Sequence, residues 1–182
     1  MNRIVKTAIM AILAMLLPCQ AICDEQKPKW LHEIRTGILV HDVPFWSRTR
    51  QERGVDFNGE FIFGFPNYGI LSGNLRTNLG FSLNSRGDTS KIYSGILWEY
   101  LWDSGVFLNL GLGAAVHNGE LDNSDDNKEL GSRILFRIPV EIGLRFTGHQ
   151  GVSIMFDHVS NAYLSEPNEG LDTIGLRYSY RF

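Results

Sequence analysis

From Glu33 onward this chain alternates apolar and other side chains with period two. It does so in runs of roughly 9–11 residues, and no feature narrows its fold more. Successive side chains of a strand point to opposite faces, so each run reads as a strand with two unlike faces. In the first run, about 33–42, Ile34, Thr36, Ile38 and Val40 share one face, and Glu33, Arg35, Gly37 and His41 share the other. In the second, Val55, Phe57, Phe61, Phe63 and Phe65 stand against Asp56, Asn58, Glu60 and Gly64. The stretches 75–83, 92–102, 106–116, 134–146, 152–160 and 172–182 repeat the pattern.

A soluble sandwich also alternates, but it turns its polar face outward. Here the apolar rows run almost unbroken, and the opposite rows carry glycines with charges of both signs. Glu33, Glu60, Glu99, Glu141 and Asp157 stand against Arg35, Arg76, Arg137, Arg145 and Arg177. An eight-stranded barrel has an interior that side chains just fill, which suits glycines and charges that pair. The charges therefore read as structural pairs in a filled lumen and not as a transport path, while the apolar rows face lipid. The chain is predicted to be all-β: an eight-stranded antiparallel transmembrane β-barrel. Trp98, Tyr100, Trp102, Tyr178 and Tyr180 supply an aromatic girdle in this reading, and Phe182 suits the end of a last barrel strand. Turns are expected at 66–73, 86–88, 103–105 and 147–150, and a long polar loop at 118–131. Pro139 cannot donate to a ladder, so a bulge is expected there.

The first 26 residues, MNRIVKTAIMAILAMLLPCQAICDEQ, place Arg3 and Lys6 before an apolar run that Pro18 ends. Cys19 and Ala21 are small residues at the two recognition positions of a cut after Ala21. This is the pattern of a secretory signal peptide over 1–21, with a barrel domain over 22–182. The apolar run is too short to span a bilayer comfortably. Cleavage leaves 15 basic residues, from the 17 less Arg3 and Lys6, against 20 acidic ones. It also leaves Cys23 alone, so no internal disulfide forms. No basic tract points to nucleic acid.

The last part of the chain carries chemistry. Val152, Ile154, Phe156, His158 and Ser160 share a face, as do Asp172, Ile174, Leu176, Tyr178, Tyr180 and Phe182. Both rows are greasy and turn polar only beside the loop between them, which sets His158, Ser160 and Asp172 at the rim of a lipid-facing wall. A serine hydroxyl needs a neighbouring base to become a nucleophile. A carboxylate fixes the imidazole tautomer and stabilises the imidazolium. Asn161, Asn168 and the backbone near Gly170 are candidate donors to a developing oxyanion. Alternating strands and short turns put this rim at the outer leaflet of a Gram-negative outer membrane, where the lipid is lipopolysaccharide. His41 with Asp42, and His117, read as solvated or lumen residues. No metal constellation is evident. The loop 122–127 lacks the ligand spacing of an EF-hand and reads as solvated.

The run His158-Val159-Ser160-Asn161-Ala162, then Pro167-Asn168-Glu169-Gly170, then a strand ending Tyr180-Arg181-Phe182, resembles the PagL family of outer-membrane lipid A 3-O-deacylases. His41-Asp42-Val43-Pro44-Phe45 is similar to that family's first strand and loop. The resemblance spans most of the chain after the signal peptide and is most specific in the final hairpin. It implies hydrolysis of the ester-linked acyl chain at position 3 of lipid A, with no cofactor. It implies Ser160 as nucleophile, His158 as base and an acid at position 172, where this chain has Asp and the family usually has Glu. Asn168 carries over as an oxyanion-hole residue. The implied partners are lipopolysaccharide and outer-membrane lipid, and a homodimer is allowed. The rival reading is a non-enzymatic small barrel used for adhesion or membrane integrity; a third is a soluble exported lipid-binding barrel.

Overall fold

In the computed structural model, residues 30–47, 49–122 and 126–182 are described. The expected signal peptide, 1–21, lies outside them. Eight strands follow one another: β1 Leu31–Val40, β2 Val55–Ile70, β3 Gly73–Asn84, β4 Lys91–Leu101, β5 Val106–His117, β6 Ile134–Arg145, β7 Gln150–Ser160 and β8 Leu171–Arg181. Each pairs with the next, and β8 closes on β1, giving a closed barrel. All pairings are antiparallel, and the closing seam runs from Glu33 opposite Arg181 to Val40 opposite Ile174. Closure leaves no free sheet edge, which is the condition for strands to cross a bilayer. The links β2–β3, β4–β5 and β6–β7 are short and gather at one end. The links β1–β2, β3–β4, β5–β6 and β7–β8 form the long-loop end.

Three local expectations need correction. The chain does not turn over 66–73: β2 runs on to Ile70, and Leu71 and Ser72, both at positive φ, make a two-residue turn. Pro139 makes no bulge. Its register with Asp157 on β7 is unbroken, and β5 and β6 keep the same register on either side, with Leu110 opposite Val140 and Gly113 opposite Arg137. Space comes from Gly111, where an added Cβ would meet the Pro139 ring at 2.5 Å. Lastly, β1 ends at Val40, not 42. Of the two settings expected for His41 and Asp42, solvent or lumen, solvent is excluded: both are fully buried at the long-loop end, with Asp42 at φ 51.

The inward face is ionic. Arg35 binds Glu33 at 2.7 Å and Glu141 at 2.5 Å, Arg137 binds Asp157 at 2.7 Å, and Arg177 bonds Glu60. Arg137 also lies 3.6 Å over the Tyr93 ring. Each of the acids and arginines assigned to the lumen takes part in such a pair, including Arg76 and Arg145, which both face Glu99. The outward face is apolar: Ile38, Phe57, Leu79, Ile96, Leu112, Ile142, Ile154 and Leu176 are all exposed. A belt of this kind around a closed barrel is matched by lipid, not water. At the short-turn end Trp98 stacks on Tyr100 with ring centroids 5.9 Å apart, Trp102 meets Tyr100 edge-on at 4.6 Å, and Tyr180 meets Phe182 edge-on at 5.3 Å.

A polar cap closes the long-loop end. The His41 ring sits between two carboxylates, Nε2 at 2.7 Å from Glu52 and Nδ1 at 2.7 Å from Asp56. Carboxylates only accept, so both ring nitrogens carry protons and the ring is an imidazolium. Glu52 also accepts from Thr89 Oγ1 and from Lys128 N–H, which joins three long loops. Asp42 Oδ2 accepts from the backbone of Gln51 and Glu52, and Lys128 Nζ donates to Thr49.

Two predictions follow from these buried charges. Glu60→Leu takes one of two carboxylate partners from each of Arg137 and Arg177, which keep Asp157 and Glu141, so it destabilises the barrel by about 2–3 kcal/mol, read from the denaturant midpoint in detergent. Burial opposes charge on His41, but its hydrogen bonds to Asp56 and Glu52 outweigh that and hold its pKa at about 9. A raised folded pKa stabilises fully below about 6.5 and the benefit is lost as pH rises through about 9. Thermal unfolding of wild type should therefore lose stability across that window, and His41→Gln should lose less; equal slopes would remove His41 from the cap's pH response.

Candidate active site

Strand register brings the three rim residues together. His158 on β7 lies directly opposite Asp172 on β8. Directly opposed side chains have Cβ atoms about 4.5–5.5 Å apart, so an Asp is long enough to reach. Its Oδ1 is 2.5 Å from His158 Nδ1. Ser160 is two positions beyond His158, on the same outward face, and its Oγ lies 3.0 Å from His158 Nε2. Asp172 accepts only, so Nδ1 carries the proton and Nε2 presents its lone pair to the serine O–H. Proton acceptor, orienting acid and hydroxyl are thus in line, the arrangement that activates a serine.

Asp172 is completely buried although it faces outward. The cover is the β1–β2 loop. Trp46 and Ser47 donate backbone N–H groups to Asp172 Oδ2 at 2.6 and 2.8 Å, and Val43 N–H donates to the Asp172 carbonyl at 2.9 Å. The carboxylate is therefore held on both oxygens before any substrate arrives. The sequence reading missed this strap. Its only trace was the cluster Pro44-Phe45-Trp46 in an otherwise polar loop, whose distant target no local pattern reveals.

The strap also builds a groove. Val43, Pro44, Phe45 and Trp46 on one side and Val140, Phe156 and Ile174 on the other enclose about 480 Å³. Val140, Phe156 and Ile174 lie level on β6, β7 and β8, one outward position below His158. Phe45 and Trp46 meet the Phe156 ring edge-on at 5.2 and 5.4 Å, and Trp46 meets His158 at 4.9 Å. The lining is apolar throughout, and the groove opens beside the imidazole.

The candidate oxyanion donors differ in their geometry. Asn161 is buried, and its Nδ2 donates to the carbonyls of Leu130 and Pro167 at 3.0 and 2.9 Å, which engages that side chain in tying two loops together. Its backbone N–H donates to Asn168 Oδ1 at 3.0 Å. That bond fixes the Asn168 amide and makes Nδ2 its donor on the other side. Gly170 sits at φ +66, and a Cβ there would lie 3.2 Å from His158 Cε1. Glycine therefore serves twice, allowing the left-handed backbone and leaving the imidazole its space. His117 is nearly buried and bonds the Ser132 carbonyl at 2.7 Å, away from this constellation.

Comparison with known proteins gives consistent results. The family described as Lipid A 3-O-deacylase (PagL) matches residues 67–181. The chain is 32% identical to the lipid A deacylase PagL of Bordetella bronchiseptica over 96 residues, 48% of this chain and 52% of that protein. It is 32% identical to that of Pseudomonas aeruginosa over 83 residues, 45% of this chain and 46% of that one. The matched region thus spans about half the length of these relatives. Among solved structures, the outer membrane enzyme PagL superposes with a TM-score of 0.61 at 20% identity, covering 81% of this chain and 97% of that one. The Yersinia pestis outer membrane protein Ail superposes at 0.51 and 13% identity, covering 85% and 100%. At these identities the likeness concerns the barrel alone. With the family match running from within β2 to the end of β8, the chain belongs to the lipid A 3-O-deacylase (PagL) family.

Proposed function

We propose that this protein is a serine esterase of the outer membrane that removes the 3-O-linked acyl chain of lipid A, with its site toward the outer leaflet. The observation that carries this reading is the hydrogen-bonded array Ser160–His158–Asp172 on the lipid-facing wall. Barrels of this class place short turns in the periplasm and long loops outside, which puts the array at lipopolysaccharide depth.

The chemistry follows from the distances. Ser160 Oγ attacks the ester carbonyl carbon as its proton passes to His158 Nε2. Asp172, fixed by the Trp46 and Ser47 amides, stabilises the imidazolium. Asn168 Nδ2 and the Gly170 backbone N–H receive the oxyanion. Collapse breaks the bond between the carbonyl carbon and the sugar oxygen, and His158 returns the proton to that oxygen. The lipid leaves with a free 3-hydroxyl. Water then gives a proton to His158 and attacks the acyl-serine, which releases the fatty acid and restores Ser160. No cofactor enters this scheme. The apolar groove under Trp46 takes the scissile chain, so that its carbonyl lies beside Ser160 while its tail lies along Phe156.

Mass spectrometry of lipid A from cells expressing wild type or Ser160→Ala, with both barrels shown to be folded, tests the reading. Loss of one acyl group with wild type only is expected; unchanged lipid in both would favour the non-enzymatic barrel. Asp172→Asn leaves the hydrogen bonding shape but not the tautomer, so kcat should fall about 10³–10⁴-fold with KM little changed.

A further inference from the structure

A second trough flanks Ser160 on the side away from the apolar groove. It encloses about 290 Å³. Its floor is Ala114, Ile134 and Phe136, and Leu164 from the β7–β8 loop overhangs it, 78% exposed. Ser132 and Ser165 form a polar rim above the apolar floor. Ala114 is opposite Phe136, and Phe136 is opposite Ser160, so the three lie on one line across β5, β6 and β7, all facing outward. Neighbouring strands are about 4.8 Å apart, which sets the floor roughly 5–10 Å from the nucleophile. Ala114 is the cause of the hollow. On the outward row of β5 it stands between Leu112 and Val116, both exposed, and its small side chain leaves a chain-wide gap. The overhang is preformed: Ser165 Oγ donates to the Gly131 carbonyl at 2.8 Å, and Asn161 Nδ2 donates to the Leu130 carbonyl at 3.0 Å.

Resting on the deacylase reading, we propose that this trough seats a second acyl chain of the same lipid substrate molecule, so that the protein grips one chain on each side of Ser160. An apolar floor without charge suits a chain and not a phosphate or a sugar. Ser165 and Ser132 give their hydroxyl protons to the Gly131 and Ile134 carbonyls, so the rim is left to accept, which suits the N–H of an amide head from which such a chain hangs. Chains on adjacent sugar positions lie side by side at spacings of the same order as the strands. The trough continues the reacting site, in register with it, so a chain held there fixes which ester reaches Ser160. Preformed walls lower the ordering cost of that hold.

The test uses the full barrel in detergent micelles and two glucosamine lipids. One carries only the 3-O-acyl ester, and the other carries in addition an N-linked acyl chain at the neighbouring position. Wild type should show kcat/KM at least about tenfold higher for the two-chain lipid, the effect of burying about two methylenes. Ala114→Phe fills the trough with a residue that strands favour. It should abolish that preference while leaving the single-chain rate within about twofold. Leu164→Ala, in a loop outside the ladder, removes the overhang and should reduce the preference in the same direction. A preference unchanged in both variants, or single-chain and two-chain rates falling together, overturns the proposal. So does wild-type hydrolysis of both lipids at equal rates, or a preference that excess phospholipid abolishes, since a bulk membrane chain would then be the occupant. No wild-type hydrolysis of either lipid overturns the deacylase reading itself, and the second-chain site with it.

Discussion

Backbone that crosses a bilayer has no water to bond, so each N–H and C=O in it must find a partner inside the protein. Closing eight strands into one ladder meets that demand, and the register of the ladder then decides everything else. A slip of one residue would turn each outward side chain inward. In the register observed, His158 faces Asp172, Ser160 faces Phe136, and all of them point to lipid. The same register sends Arg35, Arg137 and Arg177 into the lumen among Glu33, Glu60, Glu141 and Asp157. Those pairs fill the interior that a narrow barrel leaves. An unpaired charge there would be costly, so the pairs oppose alternative registers as well as occupying space.

The candidate site is assembled in two steps on that frame. Strands supply His158, Ser160 and Asp172, and loops make the arrangement rigid. The His41 imidazolium, Glu52, Asp42 and Lys128 knit the long loops into a cap. The cap holds the β1–β2 loop down, and that loop delivers the Trp46 and Ser47 amides to Asp172. Buried polar groups in this number are tolerable because they satisfy one another. Their function in this arrangement is positional: the Asp172 carboxylate has two fixed donors on one oxygen and the imidazole on the other.

Much of this was legible in the sequence because period two is a strong local signal. Strand number, the lipid-facing row, the lumen charges and the common face of His158 and Ser160 all follow from alternation. So does the outward position of Asp172, although its pairing with His158 needs the hairpin register. What stayed hidden depends on contacts far apart in the chain. Gly111 makes room for Pro139 across a strand pair, so no bulge forms. Phe45 and Trp46 read as loop aromatics until the loop folds onto β7. His41 is hydrophilic by type and gave no hint that two carboxylates from other elements would enclose it. Asn161 sits beside Ser160 in sequence, which made it a candidate donor, yet its amide reaches Leu130 and Pro167 instead.

Covalent trapping of the serine tests the central claim most directly. The folded wild-type barrel, in detergent, is treated with a long-chain fluorophosphonate and the adduct is mapped by peptide mass spectrometry. A hydroxyl activated by the neighbouring imidazole gives one adduct, on Ser160, formed at least about 100-fold faster than in His158→Asn. No adduct at Ser160, or a labelling rate indifferent to His158, would contradict the proposed triad.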